Sequence, residues 1–304
     1  MTYNRKDLLA ECLNAILRQS FHVEKTIIID NASTDGTAGL LLANGFLDDP
    51  SIDYHLMDHN SGGSGGFYEG LRIAKNSDCD WIWLMDDDTV PSDDALEQLL
   101  QKNDCLKEDV SFLASCVYGP NGEFMNVPLI SDKKADNGYL DWYCHLAESA
   151  VKLKDATFVS ILVKKDAVKK CGLPCREYFI WGDDTEYTMR LIQYYGPAYL
   201  IGTSEVCHKR YNASALSLLK ESDLSRIGLY SHFYKNNLIN KKLYCSRSEF
   251  IFFLFGAIRT AYRCLFSDHG VAKFISVHKG LLGYITRCNY IREYIITQLK
   301  PKNR

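Results

Sequence analysis

Short apolar runs that end in acidic residues alternate with amphipathic stretches along the first two thirds of the chain. Residues 6–19 carry Leu8, Leu9, Cys12, Leu13, Ile16 and Leu17 at helical spacing. Thr26-Ile27-Ile28-Ile29-Asp30 is a β-branched run of buried-strand character that closes on an acid. A loop of turn and cap residues, Asn31 to Thr37, leads into a helix near 38–43. Residues 52–57 read as a second strand, 67–75 as a helix, and Trp81-Ile82-Trp83-Leu84-Met85 as a third strand. Helix and strand alternating in this way predict an open, mostly parallel sheet with crossover helices. Beyond Pro91 the pattern predicts a helix over 93–102, strands over 110–117 and 157–164, and a short helix over 166–171. A helix then follows Asp183, and a strand covers 198–202.

The chemistry gathers where these runs end. The Trp81 strand drives into Asp86-Asp87-Asp88, and a core has no use for three adjacent charges. The triplet therefore belongs where a strand emerges, as a solvated acidic turn or as a site for a hard divalent cation, which Asp86 and Asp88 alternate to share. Ligands of such sheets bind at the carboxyl ends of the strands, so Asp30 and the triplet should line one crevice. Asn60-Ser61-Gly62-Gly63-Ser64-Gly65-Gly66 precedes a helix, where backbone amides could hold a diphosphate; the pattern also suits a flexible loop. It is neither a P-loop nor a clean dinucleotide fingerprint. A second aromatic run, Tyr178-Phe179-Ile180-Trp181, enters Gly182-Asp183-Asp184-Thr185-Glu186. Those acids are helix caps, or a general base facing the cleft. His208, beside Lys209 and Arg210, could complete a metal site or face phosphate.

Composition alters this picture in three ways. With 304 residues, 46% of them hydrophobic, the chain can bury a large core. Its formal net charge of -3 hides a strong asymmetry: from Arg226 to Arg304 there are 14 Lys/Arg against 3 Asp/Glu. That basic end mixes Phe250, Phe252, Phe253 and Phe255 with Arg259, Arg263 and Lys273 over helical segments 229–242, 249–266 and 271–299. It reads as an ordinary helical subdomain or as a face for an anionic membrane, and carries no nucleic-acid motif. The 11 cysteines, odd in number and without zinc-type pairing, read as reduced thiols of a cytoplasmic protein. The polar opening Met1-Thr2-Tyr3-Asn4-Arg5 does not read as a secretory leader, and no run reaches the roughly 18–20 apolar residues of a membrane span.

Taken in order, Thr2-Tyr3-Asn4-Arg5, Ile29 to Thr37, Asn60 to Phe67, Met85 to Asp88, Phe179 to Glu186 and His208 resemble the family 2 glycosyltransferases of the GT-A fold. Within that family they are most similar to the galactofuranosyltransferase and rhamnosyltransferase branch. The resemblance implies an α/β, Rossmann-like, mostly parallel sheet flanked by helices over residues 1–224, with a C-terminal basic helical extension over 225–304. It implies an inverting enzyme that moves galactofuranose or rhamnose from a UDP- or dTDP-linked donor to a glycan or lipid-linked glycan. The place implied is the inner face of a bacterial plasma membrane.

Residue by residue, the resemblance has Tyr3, Arg5 and Asp30 holding the base and ribose, and Asn60, Gly62 and Gly63 lining the donor and acceptor site. Asp86, Asp88 and His208 would bind Mn²⁺ or Mg²⁺, with Asp87 directed to the sugar or ribose. Asp184 would be the base, with Asp183 and Glu186 positioning the acceptor. The sequence departs from the family pattern twice. An apolar strand usually runs into Thr-Tyr-Asn-Arg, whereas Met1 stands directly before Thr2, so a central strand is expected to be missing or the start late. In galactofuranosyltransferases Trp directly precedes the acid pair, and here Gly182 separates Trp181 from Asp183. Two rival readings stay open at this level: a sugar nucleotidyltransferase, which would want a cation inside the glycine loop, and a catalytically inactive glycan-binding module.

Overall fold

The computed structural model describes residues 1–106, 108–210 and 215–299. In chain order the elements are α1 (Lys6–Leu17), β1 (Thr26–Asp30), α2 (Thr37–Ala43), β2 (Ile52–Leu56), α3 (Gly62–Ala74), β3 (Trp81–Met85), β4 (Thr89–Pro91) and α4 (Ala95–Cys105). There follow β5 (Phe112–Tyr118), β6 (Ala150–Lys152), β7 (Ser160–Lys164), α5 (Lys165–Cys171), α6 (Asp183–Tyr194), β8 (Ala198–His208), α7 (Leu224–Tyr244), α8 (Arg247–Cys264) and α9 (Gly270–Leu299). The α/β class and the helical C-terminal region agree with the sequence. Strand direction does not. β1 and β2 pair in parallel, as do β5 and β8, but β3–β7, β5–β7, β4–β8 and β6–β8 are all antiparallel. Apolar runs fix which residues form strands; they do not fix which neighbour each strand finds.

The strands form two sheets, β1-β2 and β3-β7-β5-β8-β4, with β6 added to β8. The facing edges of β1 and β3 make no ladder to each other. Between them lies a cavity of about 900 Å³ lined by Ile27, Ile29, Gly70, Ala74, Ile82 and Leu84. Its mouth is closed at one end by the chain's first two residues. The Met1 amino group lies 3.3 Å from the Met85 carbonyl, and Thr2 bridges Asp30 in the parallel sense. Both strands thus deliver their carboxyl ends to one place. Beside the cavity, Phe67, Leu71, Phe112, Ile161, Val163, Tyr187 and Leu191 belong to the main core, which Ala74, Ile82 and Leu84 also join. A separate apolar cluster joins α7, α8 and α9 through Ile227, Tyr230, Tyr234, Ala257, Ala261 and Val277. Among the described residues no helix is long and apolar enough to cross a membrane.

Candidate active site

β3 ends at Met85, and the acid triplet is then turned back by the short strand β4, which the sequence pattern did not reveal. β4 pairs with β8 in a register that sets Thr89 opposite His208. β8 itself runs to His208, well past the 198–202 expected, and this pairing carries the histidine to the triplet. The His208 Nε2 lies 3.1 Å from Asp88 Oδ1, while its Nδ1 is 2.9 Å from the side-chain oxygen of Asn126. The Asn126 oxygen can accept from Nδ1, and the ring is thereby held with Nε2 toward the acids. One ligand atom each from Asp86, Asp88 and His208 lie within 4.8 Å of one another. Asp88 Oδ1 is buried with no donor aligned on it. Two carboxylates, one of them with an orphaned buried oxygen, and an imidazole fit a divalent cation of the Mn²⁺ or Mg²⁺ kind.

The rest of the triplet is held from the amino end. Thr2 donates its hydroxyl to Asp87 Oδ2 at 2.7 Å, and Arg5 pairs with Asp88 Oδ2 at 2.6 Å and with Asp87 Oδ1 at 3.5 Å. Burial, then the charges of Asp88 and Asp87, pushes Asp86 up to about 7. Burial also raises Asp87 in spite of Arg5. In Asp88 burial is outweighed by His208 and Arg5, and the carboxyl is held below its ordinary range. An acid forced toward protonation beside one that stays charged is what an added cation relieves.

The glycine stretch is not a loop but the first turns of α3. Asn31 and Asn60 organise its start: Asn31 donates to Asn60 at 3.0 Å and to the Gly62 carbonyl at 2.9 Å, and the Gly62 amide donates to Asn60 at 2.8 Å. Gly62 has φ +74 and a Cβ there would sit 2.0 Å from the Phe179 carbonyl oxygen, so only glycine fits. That contact seats the turn before α6 against α3, and the Ser64 amide donates to the same oxygen at 3.2 Å. α6 then opens with Asp183 and Asp184. Burial, together with the nearby Asp86 charge, pushes Asp183 up to about 6. Dense packing around Asp184, then the charge of Asp183, pushes that carboxyl up to about 7. The two acid clusters therefore feel each other across one cleft.

Two expected site residues are closed off. Asp30 is 1% exposed and both its oxygens are taken, by the Ser33 amide at 2.7 Å and the Tyr54 hydroxyl at 2.6 Å, so it braces the loop after β1. Glu186 is 0% exposed. It points away from the cleft, one helical turn beyond Gly182, into a two-pronged pair with Arg190 at 3.0 and 2.7 Å and a 2.6 Å bond from Tyr244. That burial is at odds with the expected acceptor-positioning role and fits a structural one. Tyr3 is exposed beside the cleft, and Arg5 faces the triplet. Asn31, within the loop that carries the resemblance, and Asn126, in the bend after β5, are not among the expected site residues; their roles come from contacts with the start of α3 and with His208.

A family model described as Glycosyl transferase family 2 matches residues 1–170. The chain belongs to that family. Among curated proteins it is 27% identical to the galactofuranosyltransferase GlfT1 of Mycolicibacterium smegmatis, across 64% of each chain. It is 26% identical to the succinoglycan biosynthesis protein ExoO of Rhizobium meliloti, across 36% of this chain and 30% of that one. The chain therefore spans less than two thirds of the length of these curated relatives. Among solved structures, S. aureus TarS 1-349 in complex with UDP aligns with 94% of this chain and 69% of its own, at a TM-score of 0.53 and 14% identity. GalNAc-T7 with UDP, GalNAc and Mn²⁺ aligns with 81% of this chain and 51% of its own, also at 0.53 and 14%. These two carry the GT-A fold and establish the architecture of this family 2 chain.

Proposed function

We propose that this protein is an inverting, divalent-cation-dependent glycosyltransferase. It moves a sugar, galactofuranose or rhamnose, from a UDP- or dTDP-linked donor to a hydroxyl of a glycan or lipid-linked glycan in cell-surface polysaccharide synthesis. The observation that carries the reading is the meeting of two acid clusters, Asp86, Asp88 and His208 on one wall and Asp183 and Asp184 on the other. Asp86, Asp88 and His208 would hold Mn²⁺ or Mg²⁺. When bound, the cation offsets charge on the leaving diphosphate. Asp87 is directed toward the sugar or ribose. Tyr3 and Arg5 flank the nucleotide, with Asn60, Gly62 and Gly63 on the opposite side. Asp184, poised near neutrality, removes the proton of the attacking hydroxyl, and Asp183 orients that acceptor. A single displacement with one base inverts the anomeric carbon and needs no enzyme nucleophile. Family membership and the galactofuranosyltransferase relative support this chemistry and the choice of sugar.

The test follows diphosphate release from UDP- and dTDP-sugars, with and without glycan acceptors, in Mn²⁺ and in EDTA. Cation-dependent release from one donor is expected. Donor binding with no release under any acceptor would favour an inactive glycan-binding protein.

The acceptor side also bears on where the protein works. On α8, Phe252 and Phe255 are 82% and 65% exposed at helical spacing with Arg259, and Phe266, just past the end of the helix, is 93% exposed. A face of that make-up, at the basic end of the chain, suits peripheral docking on an anionic cytoplasmic membrane surface. Sedimentation with vesicles rich in phosphatidylglycerol should retain the protein, and replacing the three phenylalanines by serine should release it. Equal retention by neutral vesicles would refute the charge part of this reading.

A further inference from the structure

The turn that leads into α6 is backbone-strained. Phe179 has φ 66 and ψ -60, Trp181 has φ 59, and Gly182 has φ 91. Bulky aromatic residues avoid this region, so two of them in three positions persist only where the surroundings hold them. The surroundings come from α7, in the helical part of the chain that lies beyond the family match. The Asn236 side-chain amide donates to the carbonyls of Tyr178, Ile180 and Trp181, at 3.0, 3.0 and 2.7 Å. Three carbonyls of one turn thus converge on a single NH₂. One turn along the helix, Asn240 donates to the Gly182 carbonyl at 2.7 Å and accepts the Tyr178 hydroxyl at 2.8 Å.

Both asparagines are buried, and their packing leaves little slack. A Cβ added at Gly182 would stand 3.1 Å from the Asn236 Cβ. The Trp181 ring is seated on α7 as well, 5.0 Å from Tyr230 and 5.9 Å from the Arg226 guanidinium. On its other flank the turn is pinned to α3 through the Phe179 carbonyl. The next residues after Gly182 are Asp183 and Asp184, so whatever sets the turn sets the aim of these acids.

We propose that Asn236 and Asn240 are positioning residues for glycosyl transfer. They clamp the strained turn from Phe179 to Gly182, and so direct Asp183 and Asp184 into the cleft. α7 is then a wall of the active site and not an appendage. The inference rests on the reading of Asp184 as the base and Asp183 as its acceptor-orienting partner.

The test uses the full chain with Asn236→Asp, which keeps the shape but removes the donors, and Asn240→Ser as a milder variant that keeps the fold if the first does not. Hydrogen–deuterium exchange of the segment 178–186 reads the clamp directly. Faster exchange there, with β3 and β5 unchanged, is expected; unchanged exchange overturns the clamp. Kinetics read its purpose. The expected result is kcat lower by ten- to a hundredfold or so, with donor binding within about twofold, the pattern of a lost near-attack geometry. Loosened exchange with normal kcat would make the asparagines purely structural and overturn the positioning role. The double variant Asn236→Asp/Asp184→Asn should be no slower than Asp184→Asn alone, because the clamp acts through that acid. Full transfer by Asp184→Asn would sink the base assignment, and the exchange result would still decide the clamp by itself.

Discussion

Glu186 provides the sharpest check on how this site is divided between chemistry and scaffold. Its carboxylate is buried against Arg190, whose other guanidinium nitrogen donates to the Cys171 and Leu173 carbonyls at 2.9 and 3.1 Å. Glu186→Gln leaves that guanidinium buried beside a neutral amide, and the Tyr244 hydroxyl loses its charged acceptor. Breaking a buried pair by neutralising one partner costs about 3–5 kcal/mol. In a chain of this size each kcal/mol moves Tm by about 2 °C, which puts the expected fall at roughly 6–10 °C. The assay pairs a thermal melt with transfer kinetics at a temperature where both proteins are folded. Tm should drop while kcat and the acceptor KM, per folded molecule, stay within about twofold. An unchanged Tm with a tenfold or larger rise in acceptor KM would show that Glu186 serves the acceptor after all, and that its burial against Arg190 does not survive in the working enzyme.

Four further outcomes follow from the same geometry. Asp184→Asn should lower kcat by roughly 10²–10⁴ with donor affinity retained. In the unmutated protein kcat/KM should fall about tenfold per pH unit below the Asp184 value of about 7, since the base works only when ionised; a flat profile from pH 5 to 8 would contradict this. Because Asp86, Asp183 and Asp184 all titrate above ordinary carboxyls, the cation-free fold holds protons that the unfolded chain has released. Its stability should therefore decline as pH rises from about 4 to 7, and Mn²⁺ should raise Tm more at pH 8 than at pH 5. Equal shifts at both values would argue that the cation does not bind at the acids. Finally, fusing a short apolar β-strand to the amino side of Met1 should fill the cavity between β1 and β3, add about 2 kcal/mol or more, and slow amide exchange in Ile27–Ile29 and Ile82–Leu84. A polar segment of equal length should do neither, and if both stabilise alike the slot is not a strand site.

What the sequence disclosed and what it withheld divide along the range of the interactions. β1 and β3 are legible nearly to the residue, because runs such as Thr26 to Ile29 and Trp81 to Met85 are short, β-branched or aromatic and closed by acids. The acid triplet and the pair at Asp183 and Asp184 followed from the same reasoning, as did the resemblance that joined them. Hidden were the features made by register and by packing between distant segments. No local pattern says that Thr89 lies opposite His208, that Gly62 touches Phe179, or that Asn236 reaches three carbonyls more than fifty positions earlier. Nor does charge pattern alone separate Asp183 from Glu186. Both sit in the first turn of α6, yet Asp183 feels the charge of Asp86 while Glu186 is buried against Arg190. Those same long-range contacts decide whether the acids work together. Asp86 and Asp183 lie about a hundred positions apart, and they share a cleft because α3 is glycine where it meets the Phe179 turn and α7 carries amides where it meets the other side of that turn. A homologue that kept every acid but lost Gly62 or Asn236 should therefore bind a cation and still transfer sugar poorly. The two walls would no longer be set against each other.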